Sequence, residues 1–188
     1  MDLDKAIKQR KSVRNFSKKK PDWRDIVECI DTMRYAPAAG NIPTMKVIVV
    51  QDQEKIAKIT KACQQPFVGT AQYLVVVCSK PKLLVNAYED RGKKFNIQQN
   101  GAAIENFLLS IENKGLSTCW IGYFVESQVK GILEIPEDAD IEAIFPIGYE
   151  SEIRGEKKQP RKKVELDNYL YFDKYKNKRM WKPRDIYT

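Results

Sequence analysis

Arg10-Lys11-Ser12-Val13-Arg14 gathers three cationic side chains and one hydroxyl within five residues. Guanidinium groups are planar forks of donors that match the oxygens of a phosphate, and the hydroxyl adds a further donor. Leu3 and Ile7 precede this group at helical spacing, so it falls in the bend after a short helix. Two readings stand at this point: a phosphate site, or a solvated basic face. Two more segments are chemically suggestive. Pro37-Ala38-Ala39-Gly40-Asn41 is a run of small residues that lets backbone come close to a ligand, and Cys119-Trp120-Ile121-Gly122 ends an apolar stretch on an indole and a glycine.

Composition narrows the chemistry. The 188-residue chain has no histidine. That excludes Ser-His-Asp and Cys-His nucleophilic catalysis and H-E-x-x-H metal sites. Any catalysis falls to a cofactor, to carboxylates, or to Lys, Tyr or Cys. The four cysteines, Cys29, Cys63, Cys78 and Cys119, form no C-x-x-C pair, and three of them sit in apolar stretches, so neither a disulfide framework nor a metal site is expected. Charged residues make up 31% and hydrophobic residues 43% of the chain, an ordinary globular balance in which no apolar run approaches the ~20 residues of a membrane span. Met1-Asp2-Leu3-Asp4 lacks the apolar core of a secretory signal, and a cytoplasmic location is expected.

The net charge of +8 is concentrated at the two ends. Residues 1–25 hold 9 Lys+Arg against 4 Asp+Glu, and residues 154–188 hold 12 against 5. Two basic ends can converge on one anion, or form a nucleic-acid surface. Against nucleic acid, no aromatic residues interleave with the basic ones at Arg10–Arg14, as a stacking platform requires.

The elements that must position these groups follow from periodicity and caps. Asp22 is the expected N-cap of a helix carrying Ile26, Val27, Ile30 and Met33, and Asp52 of one carrying Ile56, Ile59 and Ala62. Apolar β-branched runs predict strands over 46–51 and 73–78, a strand over 117–122, and another over 141–149. A long helix is expected from Ile97 to Lys114-Gly115, and a short one through Leu133 capped near Glu126 or Ser127. Residues 82–96 are polar and weakly patterned, and read as a lid or a partly ordered loop. This alternation argues an α+β or α/β fold around a central sheet.

In their order, four segments resemble the nitroreductase family of FMN-dependent oxidoreductases. They are Arg10–Arg14; Tyr35–Asn41 with the strand after it; the helix Gly101–Leu109 leading through Lys114-Gly115-Leu116 to Cys119–Gly122; and Phe145-Pro146-Ile147-Gly148-Tyr149 with the basic stretch Lys157–Lys163. The resemblance implies an α+β fold with a central, mostly antiparallel sheet flanked by helices, assembled as an intertwined homodimer with FMN at the interface. It implies transfer of electrons from NADH or NADPH through the flavin to a small organic acceptor such as a nitroaromatic or quinone, by a ping-pong mechanism. Residue by residue, Arg10, Ser12 and the Lys11 backbone would hold the phosphate. Arg14 would lie near the pyrimidine edge and support the reduced ring. Pro37, Ala38, Ala39 and Asn41 would approach from the other subunit. Trp120, Ile121 and Gly122 would line the ring and donate backbone N–H groups, Gln65 would touch its polar edge, and Arg161, with Lys162 or Lys163, would close on the phosphate. No residue acts as catalytic base and no metal is implied.

Met45, Tyr88 and Phe95 are the expected acceptor-side residues. Here the chain departs from the family: Pro43-Thr44-Met45 replaces a common Gln-Pro-Trp, and Ala38-Ala39 replaces Ser-Ser. The domain is expected over 1–166, with 167–188 as an extension packing on the dimer partner. Two further functions are compatible with these residues: a flavin-binding or regulatory protein without turnover, and a reductive dehalogenase-like flavoprotein of the same fold.

Overall fold

The computed structural model describes residues 2–151 and 163–179. The chain divides into two compact units, 1–152 and 153–188. The first carries helices α1 (Leu3–Gln9), α2 (Trp23–Asp31), α3 (Gln53–Cys63), α4 (Lys82–Tyr88), α5 (Asp90–Asn113) and α6 (Glu126–Leu133), with strands β1 (Met45–Val50), β2 (Tyr73–Ser79), β3 (Ser117–Thr118) and β4 (Asp140–Gly148). The strands form one antiparallel sheet in the order β1-β2-β4-β3. The α+β architecture with a central antiparallel sheet is thus as expected.

β2 sits in the middle of the sheet because every one of its residues is apolar or small enough to be buried on both faces. Its alternation divides the core in two. Leu74, Val76 and Cys78 pack with Ile56, Ile59 and Val129 of α3 and α6. Tyr73, Val75 and Val77 pack with Ile26 of α2 and Ile104, Phe107 and Ile111 of α5. Two of the expected caps form: Asp22 accepts from Arg24 N–H, and Asp52 from Glu54 and Lys55 N–H at 2.8 and 3.0 Å, whereas α6 begins at Glu126 after Val125 with no side-chain cap. Those backbone donors hold the Asp52 carboxyl below its usual range, the Lys55 N–H most strongly.

Two elements differ from their sequence reading. Residues 82–96 are helical, not a loop: α4 occupies 82–88 and α5 begins at Asp90, seven residues before Ile97. Between them Glu89 takes φ 52° and turns the chain, while Gly92 lets α5 lie directly on the Leu84 backbone. The apolar pattern of α5 is interrupted there by amides and glycine, which hides the helix from a periodicity reading. The strand expected over 117–122 reduces to Ser117–Thr118 plus a single bridge from Ile121 to Ile144, because the chain leaves the ladder at Cys119-Trp120.

In the second unit, Leu166–Asn168 forms a 3-10 turn. Tyr171 and Tyr175 pack ring to ring at 4.9 Å, and the Lys178 ammonium lies 4.2 Å from the Tyr171 ring centre. Trp181 of the aromatic tail lies outside the described residues.

Candidate functional site

Two groups of candidate residues assemble on the first unit. The first forms at the β3 edge. Ser12 makes a parallel bridge with Thr118, and Val13 N–H donates to the Thr118 carbonyl at 2.9 Å. This contact brings the basic bend beside the Cys119–Gly122 segment, across more than a hundred residues of sequence. Phe16, buried against Gly148, and its bridge to Glu150 anchor the far end of the bend on β4.

The cations of the bend differ in what they face. The half-buried Arg10 lies 3.5 Å from Glu105 of α5. The Lys11 ammonium is held by the Glu150 carboxylate at 2.6 Å, which leaves only its backbone for an anion. Arg14 is exposed and makes no ion pair among the described residues. Lys11 and Glu150 border a cavity of about 450 Å³ together with Glu112, Ser117 and Tyr149. Burial pushes the Glu112 carboxyl up, and Lys11 and Arg10 offset this only in part.

Trp120 is 43% exposed, and its indole meets the Phe145 ring in a T-shaped contact with centroids 5.5 Å apart. Ile121 corrects the sequence reading. Its side chain is buried, and its N–H donates to the Ile144 carbonyl at 3.0 Å, so it is not a free donor. Donors from this segment are left to Trp120 and Gly122. A Cβ on Gly122 would meet only the Trp120 ring at 3.7 Å, so packing within the protomer does not demand glycine there. The Thr118 hydroxyl is buried without a hydrogen-bond partner, and among the described residues it alone is so.

The second group surrounds the loop Ala38–Asn41. Gly40 and Asn41 both adopt left-handed backbone, φ 57° and 55°. Tyr88 covers Gly40 so closely that a Cβ would come within 2.5 Å of its hydroxyl, and Phe95 packs edge-on against Tyr88 at 5.2 Å. The expected acceptor-side aromatics therefore do meet the expected cofactor loop. Phe95, Pro37 and Ala39 line a cleft of about 320 Å³, and Met45 lines a second of about 240 Å³ with Met33, Pro43 and Ala103.

Gln99 borders both clefts and holds the loop, yet sequence reasoning missed it. The available signal was three amides, Asn96, Gln99 and Asn100, at helical spacing on a face that continues as Ala103 and Phe107. Gln65 precedes the 3-10 turn Pro66–Thr70 without a side-chain cap and donates to the Cys63 carbonyl; among the described residues none of its hydrogen bonds reaches either group. Arg161 and Lys162 lie outside the described residues. Lys163 is exposed in the second unit.

The cysteines are all free and buried. Burial pushes the Cys63 and Cys78 thiols up to about 11, which suits packing and not nucleophilic chemistry. Among the described residues no group of His, Cys, Asp or Glu is arranged to hold a metal ion, and no helix is long and apolar enough to cross a membrane.

Sequence comparison matches the family model described as "Nitroreductase family" over residues 7–83 and 60–149. A putative NADH dehydrogenase/NAD(P)H nitroreductase of Archaeoglobus fulgidus is 29% identical over 150 residues, covering 77% of this chain and 83% of its own. The crystal structure of a nitroreductase family protein from Clostridium novyi NT superposes with a TM-score of 0.74 at 27% identity, covering 94% of this chain and 96% of its own. An iodotyrosine deiodinase solved with FMN and 3-iodo-L-tyrosine shares the fold at 23% identity and a TM-score of 0.75, with coverage of 91% and 100%. With the Arg10–Arg14 bend on the β3 edge, the antiparallel sheet, and a family match over most of the first unit, the chain belongs to the nitroreductase family.

Proposed function

We propose that the protein is a homodimeric, FMN-dependent oxidoreductase that passes electrons from NADH or NADPH to a small organic acceptor in a ping-pong cycle. One observation carries this reading most: the Ser12–Thr118 bridge joins the basic bend to the segment bearing an open indole and an unconstrained glycine. That surface suits a ligand with an anion at one end and a flat ring at the other. FMN has both, and among the described residues the exposed Arg14 makes no ion pair and the buried Thr118 hydroxyl has no hydrogen-bond partner at the same edge.

In this reading FMN supplies two-electron redox chemistry at its ring, which explains how a chain without histidine catalyses hydride transfer. The protein's own residues bind, orient and exclude water. Arg10 and Ser12, with the Lys11 backbone, would hold the phosphate. Arg14 would place its positive charge where the reduced ring gains negative charge. Trp120 gives the ring an apolar wall, and Trp120 and Gly122 offer backbone donors to its polar edge.

The positions of the two groups support the dimer. Arg10 reaches α5 at Glu105 and the Ala39 loop reaches it at Gln99. Six residues at about 100° each set these contacts roughly 120° apart around the helix. One protomer thus presents two half-sites on different sides of α5, and a second copy completes each. The loop Pro37–Asn41 then meets the partner's flavin. Met45, Tyr88 and Phe95 would border the acceptor.

The test is the visible spectrum of purified protein, titrated with NADH and NADPH without oxygen. Flavin absorbance that bleaches on either nucleotide is expected. Arg10→Ala is expected to elute from gel filtration without flavin; retention of flavin by that variant sinks the phosphate assignment. Bound flavin that neither nucleotide reduces would point instead to a binding or regulatory protein.

A further inference from the structure

Behind the Ala38–Asn41 loop runs a chain of buried polar side chains, and its significance rests on the cofactor reading above. Gln99, 9% exposed, turns its whole amide to this loop. Its Oε1 accepts from Ala39 N–H at 3.0 Å, and its Nε2 donates to the Ile42 carbonyl at 3.1 Å and to Thr44 Oγ1 at 3.0 Å. Thr44 has one hydroxyl proton, and it goes to Asn96 Oδ1 at 2.6 Å. Asn96 gives its two amide protons to Ser79 Oγ and Glu142 Oε1, at 2.9 and 3.0 Å. Asn100 donates to Asn96 Oδ1 and to Glu142 Oε1, and Ser79 donates to the same carboxylate oxygen.

The direction of every bond is fixed by this inventory. A carboxylate only accepts, so Glu142 is the terminus that receives from Asn96, Asn100 and Ser79. Asn96 therefore has both protons committed and presents Oδ1 to Thr44. Thr44 then has no proton left and only accepts from Gln99. This sets the Gln99 amide with Nε2 toward Ile42 and Thr44 and Oε1 toward Ala39. Thr44, Ser79, Asn96, Gln99 and Asn100 are all buried. Burying so many polar groups is costly unless they are fully satisfied, and a satisfied network specifies one geometry. What it specifies here is a loop with two consecutive left-handed residues, one of them Asn41, that plain propensity would not hold.

We propose that Gln99, oriented from Glu142 through Asn96 and Thr44, is the positioning residue that sets the Ala39–Asn41 backbone for its contact with the flavin. It does not touch the cofactor itself. It acts on the loop that does, and Glu142 acts on it from the sheet.

The test compares wild type, Gln99→Leu, Gln99→Glu and Glu142→Gln by two readouts. The first is amide exchange at Ala39, followed by NMR on flavin-free protein. The second is FMN affinity, followed by flavin fluorescence. Gln99→Leu leaves Ala39 N–H and the Ile42 carbonyl without partners; exchange at Ala39 about tenfold faster or more, and FMN binding weaker by a similar factor, are expected. Glu142→Gln ends the chain on a group that also donates, so it shifts both readouts in the same direction by less, although it lies on β4 and not in the loop. Gln99→Glu supplies a chemical signature. Its carboxylate cannot donate to Ile42, whereas its protonated form does, so FMN affinity recovers toward wild type as pH falls, while wild type changes little. Fold loss alone gives no such recovery.

Wild-type exchange at Ala39 in Gln99→Leu overturns the positioning role, with or without flavin. Faster exchange with unchanged FMN affinity overturns it too, since the loop would then be held without serving the cofactor. If wild type itself binds no FMN, the cofactor reading fails, and with it the flavin half of this proposal. The exchange comparison then decides separately whether Gln99 sets the loop.

Discussion

At the scale of single residues, the three cations of the basic bend are not equivalent. Lys11 is paired with Glu150, Arg10 with Glu105, and Arg14 is exposed and makes no ion pair among the described residues. Their neighbour Glu112 gives a pH prediction. Its folded-state carboxyl is raised, chiefly by burial, so the fold prefers it protonated. A raised group contributes stability below its unfolded pKa, about 4.3, and that contribution is lost as pH rises through the folded value. Glu112→Gln is therefore expected to melt at a higher temperature than wild type at pH 7, with the difference vanishing below about pH 4. Melting curves at the two pH values check this; equal melting temperatures at pH 7 would contradict it. The cysteine chemistry was legible from sequence, because an apolar neighbourhood on either side of Cys29 or Cys78 already implies burial. The Gln99 anchor was only half legible: the amides Asn96, Gln99 and Asn100 on one helix face mark a polar stripe, but local pattern does not say that it holds a loop sixty residues away.

At the scale of elements, α4 and the first turns of α5 are the part that periodicity failed to show. Their contact depends on Gly92. A Cβ there would lie 2.6 Å from the Val85 nitrogen and closer still to the Leu84 carbonyl, both backbone groups that have no side-chain freedom to yield. Gly92→Ala is expected to cost about 1–3 kcal/mol of stability, the usual range for overpacking. It is also expected to open the 82–89 segment to protease, and because Tyr88 rests on Gly40, to weaken binding of the acceptor. A variant with wild-type melting and wild-type proteolysis would show that α4 does not rest on α5 in this way. The strands fared better. The runs at 46–51 and 73–78 are read almost to the residue as β1 and β2: β2 is buried on both faces and so continuously apolar, and the edge strand β1 still carries the β-branched run Val47–Val50.

At the scale of the whole molecule, the proposed site calls for a second copy. Leu3 and Ile7 on α1 and Ile97 on α5 are among the exposed apolar residues that such a copy could cover. Solution mass is expected at twice the 21.8 kDa of one chain. A flavin-loaded monomer would contradict a shared site, and loss of flavin on dilution to monomer would support it. The sequence by itself determined the chemical class: the absence of histidine, the basic bend, the small-residue loop and the buried cysteines are properties of composition and short spacing, which need no coordinates. It also determined the strands at 46–51 and 73–78 and the helix caps Asp22 and Asp52, because β-propensity and capping act on neighbouring residues. Only the tertiary structure decided that Ser12 lies on Thr118, that the Ile121 amide is committed to Ile144, and that Gln99 holds Ala39. Each of those is a contact between distant segments. Hydrogen-bond partners across such separations are fixed by how layers pack, and local pattern carries no record of them.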